Sequence, residues 1–472
     1  MNSFTRSSEP SRRTVLRSAG LLGLAAVPGT ALLSGCATGG SAAASSTTGA
    51  ASLTVNPTSS LDVVIFDGGY GKTFCQYDVS LYKAKYPKAS VTLNGIQDIK
   101  DQLQPQFVAG NPPDVLDNSG ANAIATATLV KAGELTDLSA LLSAPSVDDP
   151  SKTVEQTLVP GALTTGQFNG KSMALPYVYT AYGFWYSASL FEKKGWTWPT
   201  TWDGLLALAA EMKAAGMAPF SYGGTTAPDY WLRPLFSLAV KQAGTQVLVD
   251  IDNLKAGAWQ VEAMQEAAAA VAGLAAKGYF LSGSAGLTHT QAQTAWVQGQ
   301  AGIYASGSWI ENEMKGISAS GFDMTFGAVP LLDSSAKLPV TALSAAASET
   351  YVVPAQAKNP EGGLEYLRLM LSKAAAAQFS ELTHAPTIVQ GATGGQSYGS
   401  PALASVNQAI SAAGENTFTY LYTGWYPTLS KGGKTQMANL LAGRITGPAF
   451  LSAMQSAADA VLANSSVTKY HR

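Results

Sequence analysis

Tyr70, Asn118, Tyr177, Tyr179, Tyr182, Tyr230, Trp231, Trp309, Trp425 and Tyr426 stand in or beside stretches that read as loops following strands. Flat rings and planar amides in that setting suit one kind of chemistry. A pyranose presents an apolar face of C–H groups that stacks on an indole or phenol, and a rim of hydroxyls that asks for amide and carboxylate partners. Because Trp and Tyr are mostly buried on average, about half of these rings are expected in the core instead.

Other chemistries find less support. Phe66 to Thr73 ends in Gly71-Lys72-Thr73 like a phosphate-binding loop, but Phe66 stands where the first glycine of that pattern belongs, so a plain strand-to-helix turn is expected. The histidines, at 289, 384 and 471, lie in unrelated contexts and the cysteines are not paired, so no metal-ligand spacing emerges. Gly307-Ser308-Trp309 lacks the Gly-x-Ser-x-Gly of a nucleophile elbow. Glu311 and Glu313 sit two apart, on different faces of a helix, and make a poor pair for glycoside hydrolysis. No catalytic residue, cofactor or metal is expected.

Charged residues make up only 13% of the 472, far below the usual share, so a charge-driven nucleic-acid partner is not expected. The hydrophobic fraction of 46% excludes both a disordered chain and a polytopic membrane protein.

The elements that would position such rings alternate between strand and helix patterns, an α/β arrangement. Strands are predicted at Leu61–Phe66, Val91–Leu93 and Val115–Leu116, with a helix between the last two ending near Ala109. Thr200 or Thr201 is expected to cap a helix through Lys213, and Asn359-Pro360 to start another along which Leu364, Leu367, Leu371 and Ala375 recur.

Residues 1–35 read as an export signal. Arg12-Arg13 opens it as a twin-arginine pair, and an apolar stretch from Ala19 to Leu33 is broken by Gly23, Pro28 and Gly29. Leu33-Ser34-Gly35-Cys36 then resembles a lipobox, which makes Cys36 the lipidated N-terminus of the mature chain. Acyl chains there would hold the protein to the outer face of the cell membrane. Residues 36–60, rich in Ala, Ser, Thr and Gly, read as a flexible tether. With Cys36 lipidated, Cys75 has no partner for a disulfide.

Several separated stretches carry a more specific resemblance. They are Asn111-Pro112-Pro113-Asp114-Val115, Gly133-Glu134-Leu135-Thr136-Asp137-Leu138, Pro199-Thr200-Thr201-Trp202-Asp203, the Trp296-x-x-Gly299-x-x-Gly302 run closed by Gly307-Ser308-Trp309, and Gly443-Arg444-Ile445-Thr446. In this order they resemble the family 1 extracellular solute-binding proteins, the maltose-binding-protein-like receptors of ABC sugar importers. Gly68-Gly69-Tyr70, Asn118-Ser119-Gly120, Ala144 to Pro150, Gly286 to Thr290 and Ser306 to Glu313 look like the actinobacterial lipoproteins that bind N-acetylglucosamine and N,N′-diacetylchitobiose. Residues 222–231 diverge locally from that pattern.

The resemblance implies a two-lobed periplasmic-binding-protein-like fold with a hinge and an interlobe cleft. Lobe 1 would comprise 61–177 plus 331–382 and lobe 2 would comprise 180–329 plus 386–472. It implies a non-enzymatic, monomeric receptor that captures a carbohydrate ligand and passes it to ABC permease subunits. Carried over by position, Trp309 matches the stacking tryptophan of the motif, and Tyr230 or Trp231 a second ring. Asn118 follows a lobe 1 strand, and Thr180 falls where maltose binders carry an acid, leaving contacts to Tyr179 and Tyr182. Tyr70, Glu349 and Trp425 complete the expected site. A same-fold receptor for another oligosaccharide or a polyol, and a surface glycoside hydrolase, stay open as alternatives.

Overall fold

The computed structural model describes residues 53–472 apart from positions 121 and 320, so the export signal, Cys36 and most of the tether lie outside the described residues. Eleven strands are present among the described residues. In chain order they are β1 (Leu61–Phe66), β2 (Val91–Ile96), β3 (Val115–Asp117), β4 (Gln167–Phe168), β5 (Lys171–Ser172), β6 (Leu175–Ser187), β7 (Ala218–Ser221), β8 (Ala301–Gly307), β9 (Met324–Gly327), β10 (Leu343–Val352) and β11 (Thr417–Phe418). Nine of them form one sheet in the order β2-β1-β3-β10-β6-β8-β7, with β9 added to β6 and β11 to β10. The hairpin β4–β5 stands apart, turned by Asn169 and Gly170, both at positive φ as a two-residue turn demands.

Local signals explain most element starts. Thr201 accepts a hydrogen bond from Gly204 N at 3.2 Å and caps the helix Trp202–Ala214, while Asn359 accepts from Gly362 N at 3.0 Å ahead of Pro360–Met370. The leucine repeat from 364 does not run on to Ala375 in one helix. Ser372 interrupts it, accepting from Ala375 N at 3.3 Å and starting a second helix, Lys373–Thr383. The Gly-rich segment after β1 is a turn, closed by Gly71 N donating to Gly68 O, and Lys72 faces Asp67 at 3.6 Å.

Two bodies share the sheet. The first packs Cys75–Lys85, Pro360–Met370 and Lys373–Thr383 against β1, β2 and β3. The second gathers Leu232–Ala243, Glu262–Ala276, Pro427–Leu441 and Gly447–Ala463 into an aromatic-rich core with β7 and β8. Between them run β6 and β10, antiparallel and buried along most of their length, which is why β6 reads as the nearly continuous apolar run Leu-Pro-Tyr-Val-Tyr-Thr-Ala-Tyr-Gly-Phe-Trp-Tyr-Ser. A third connection lies beside them, where Tyr179 N donates to Pro386 O and Ile388 N to Tyr177 O.

Residues 331–342 fasten to the second body. Leu331 bridges Thr201, Leu338 N donates to Lys241 O, and the buried Lys241 ammonium donates to the carbonyls of Val329 and Val340. Burial lowers that lysine to about 7.

Candidate functional site

Side chains of a strand alternate between faces, so the tyrosines of β6 divide. Tyr177 and Tyr179 share one face. Tyr177 packs edge-on against Phe379 and Tyr351 at 5.2 and 5.9 Å, and its hydroxyl donates to Met370 O. Tyr179 lines a cavity of about 500 Å³ with Val159, Thr387, Gln390 and Thr417. Thr180 and Tyr182 share the opposite face. Thr180 is fully buried, with its hydroxyl 2.8 Å from Ser348 Oγ, and so acts inside the strand pair.

Tyr182 opens onto a smaller cavity, of about 220 Å³, with Asp229, Tyr230, Arg233, Trp309 and Tyr420 around it. Trp309 stands two residues past the end of β8, at the N-cap of the short helix Ile310–Glu313. Gly307, opposite Tyr182 in the register, makes room for it: a Cβ there would lie 2.0 Å from Trp309 Cζ3. Tyr182 and Tyr230 flank the indole edge-on, at 5.7 and 5.5 Å between centroids. All three rings stay partly exposed, unlike the core aromatics.

Arg233, early in the helix Leu232–Ala243, lies between two rings, 3.7 Å over Tyr182 and 4.2 Å over Tyr420. Its Nη1 donates to Thr419 Oγ1 at 3.0 Å and reaches Ser344 Oγ at 3.4 Å. Stacking and hydrogen bonds together fix the guanidinium plane. Four residues earlier, Asp229 keeps a buried Oδ1 without a hydrogen-bond partner, since Lys434 Nζ stands 3.9 Å away. Burial raises the Asp229 carboxyl, opposed by Lys434 and by Arg233.

The first body supplies the facing side. Tyr70 packs edge-on against Phe379 at 5.5 Å, and its buried hydroxyl has no partner among the described residues. Burial raises that phenol well above its usual range, helped by the charges of Glu349 and Glu313. Asp117 at the end of β3 accepts from Ser119 Oγ, and Ser119 Oγ accepts from Thr350 N at 2.8 Å. Glu349, held at φ 50° in a kink of β10, joins this group. Desolvation pushes both Asp117 and Glu349 upward, so the pair favours sharing a proton over two charges. Glu313 accepts from Gln293 Nε2 at 2.6 Å. A Cβ on Gly69 would sit 3.2 Å from its Cγ, so the turn after β1 and the helix Ile310–Glu313 approach closely.

The remaining expected residues lie elsewhere. Trp231, 1% exposed, packs among Phe184, Phe220 and Phe280, because consecutive residues of a helical turn point apart and Tyr230 takes the cleft side. Asn118 spends its amide on its own loop, donating to Ile124 O at 2.8 Å and accepting from Ile124 N at 2.9 Å. Trp425 packs on Tyr426 and Tyr470 and donates to Gln167 O. Sequence reasoning missed Asp229, Arg233, Glu313 and Tyr420. Only the four-residue spacing of Asp229 and Arg233 beside Tyr230 could have signalled any of them. Among the described residues no group of three or more His, Cys, Asp or Glu is placed to hold a metal ion.

Comparison with known proteins identifies the family and the fold. The family model described as "Bacterial extracellular solute-binding protein" matches residues 65–377. The diacetylchitobiose binding protein NgcE of Streptomyces coelicolor is 39% identical over 412 residues, covering 87% of each chain. Among solved structures, a chitin oligosaccharide binding protein superposes with a TM-score of 0.69 at 20% identity, over 85% of this chain and 98% of its own. The GacH receptor of Streptomyces glaucescens, described unliganded and with acarbose, gives a TM-score of 0.65 at 18% identity, over 85% and 97%. These neighbours share the two-lobed α/β fold.

Proposed function

The chain belongs to the family of bacterial extracellular solute-binding proteins, whose members bind solutes and do not transform them, and from that premise we propose that it is the sugar-capturing component of an ABC importer. Its ligand is N-acetylglucosamine or a short chito-oligosaccharide. The observation that carries this reading is the ring wall of Tyr182, Trp309 and Tyr230 beside a cavity with polar groups on several sides. The 39% identity to a diacetylchitobiose binding protein supports the choice of sugar.

Capture proceeds without chemistry. A pyranose face stacks on Trp309, with Tyr182 and Tyr230 limiting its tilt. Rotation about β6 and β10 brings Tyr70, Glu349 and Asp117 toward the ring. The lobes divide near 177 and 180 on the outward crossing, while the return crossing runs along β10, because residues 331–342 are fastened to the second body. The closed receptor then docks as a monomer on permease subunits. Cys36 carries the lipid that holds it at the extracellular face of the membrane, which mass spectrometry of the membrane-extracted protein would register as added diacylglycerol.

A thermal-shift panel tests the ligand. Residues 37–472 are heated with N-acetylglucosamine, chitobiose, longer chito-oligomers, maltose, cellobiose and xylobiose. A ligand at 100 times its dissociation constant adds about 2.7 kcal/mol to the native state. Shifts confined to acetamido sugars are expected. A shift with maltose or xylobiose alone would keep the receptor role and overturn the ligand.

A further inference from the structure

The small cavity sets one acceptor and one donor beside the ring wall. Asp229 Oδ1 is buried without a hydrogen-bond partner and faces Lys434 Nζ at 3.9 Å, beyond hydrogen-bond reach. An acceptor in that state has a hydrogen bond still to make, which a donor brought in by a ligand would supply. Arg233 stands four residues further along the same helical run, on the same face, and lines the same cavity. Only its Nη1 is engaged by protein oxygens, while the two tyrosine rings hold its plane still. A guanidinium fixed in this way cannot swing to suit any ligand. It offers its remaining N–H groups in one direction.

An acetamido substituent carries one N–H donor and one C=O acceptor a short distance apart. We propose that Asp229 and Arg233 read that group together, Asp229 Oδ1 accepting from the ligand amide N–H and Arg233 donating to its carbonyl oxygen while the sugar ring lies on Trp309. This deepens the reading given above and rests on it. A hydroxyl in place of the acetamido group can donate and accept only through its single oxygen, whereas the acetamido group meets the two partners with separate atoms, so the pair acts as the selectivity filter.

Calorimetry with chitobiose and cellobiose separates this proposal from the reading beneath it, because the two disaccharides share the linkage and differ at the acetamido positions. The wild-type chain, Asp229→Leu, Arg233→Met and the charge-preserving Arg233→Lys are titrated with both sugars, with thermal midpoints confirming that each variant is folded. The wild type is expected to prefer chitobiose by about a hundredfold or more. Asp229→Leu and Arg233→Met are each expected to cut that ratio by about tenfold, chiefly by losing chitobiose. Arg233→Lys, which keeps the charge but not the stacked plane, should fall between. A ratio unchanged in folded variants, with both sugars weakened alike, would overturn the role of the pair and leave the sugar reading standing. Failure of the wild type to bind chitobiose would overturn both.

Discussion

Two cavities flank the crossing strands, and the larger has the poorer chemistry. The one of about 500 Å³ carries a single ring, Tyr179, with Gln390 and Glu415 among Val, Thr and Gly residues, whereas the one of about 220 Å³ gathers Tyr182, Tyr230, Trp309 and Tyr420 with Asp229 and Arg233. Both are reached from β6, by side chains three residues apart on opposite faces. Volume alone would choose the other one. What distinguishes the smaller cavity is convergence: rings from four distant segments meet an aspartate oxygen without a hydrogen-bond partner and an arginine with N–H groups to spare.

That contrast can be broken most directly at Trp309. Trp309→Ala should weaken sugar binding by about tenfold or more, because a stacked ring contributes roughly 1 to 3 kcal/mol in such sites, while circular dichroism stays unchanged. Undiminished affinity in calorimetry would remove the indole from the site.

Gly307→Ala sharpens the point. The added methyl meets the Trp309 ring and must tilt it, so affinity should fall by about fivefold with little loss of stability, as overpacking at a partly exposed ring is relieved by movement. An affinity equal to wild type would show that the ring orientation is immaterial.

The polar floor of the cleft can be followed through pH. Glu349 is pushed up to about 7 by burial, against about 4.3 in an unfolded chain. The folded state therefore keeps a proton that the unfolded chain releases. Its contribution to stability is complete below about 4 and is lost as pH rises through about 7. The wild-type thermal midpoint should fall across that interval more steeply than that of Glu349→Gln. Parallel slopes in calorimetry at pH 5, 6, 7 and 8 would contradict the buried, proton-sharing pair with Asp117.

The smallest effect is expected in the larger cavity. Tyr179→Phe removes a hydroxyl that lines it and should leave sugar affinity within about twofold. A tenfold loss would move the ligand to that side of the sheet.

Elements governed by neighbours in sequence were legible. β1 begins and ends where its apolar run does, and the Thr201 and Asn359 caps announce their helices. The break at Ser372 was hidden because the leucine spacing continues across it, and only the hydroxyl's bond to Ala375 N reveals a new start. In the site, Trp309 was legible from its glycine-flanked motif. Tyr230 and Trp231 were equivalent on paper, and the helical turn decided between them. Asn118 looked like a ligand amide until its own loop claimed both ends. Arg233 could not be foreseen, since the rings that immobilise it come from positions 182 and 420 and meet only in three dimensions.

The central claim is that a sugar ring lies on Trp309 in the smaller cavity. A crystal structure of residues 37–472 grown with N,N′-diacetylchitobiose tests it most directly. The account predicts a pyranose stacked on the Trp309 indole, flanked by Tyr182 and Tyr230, with an acetamido group between Asp229 and Arg233. A sugar seated beside Tyr179 and Gln390 instead would contradict it.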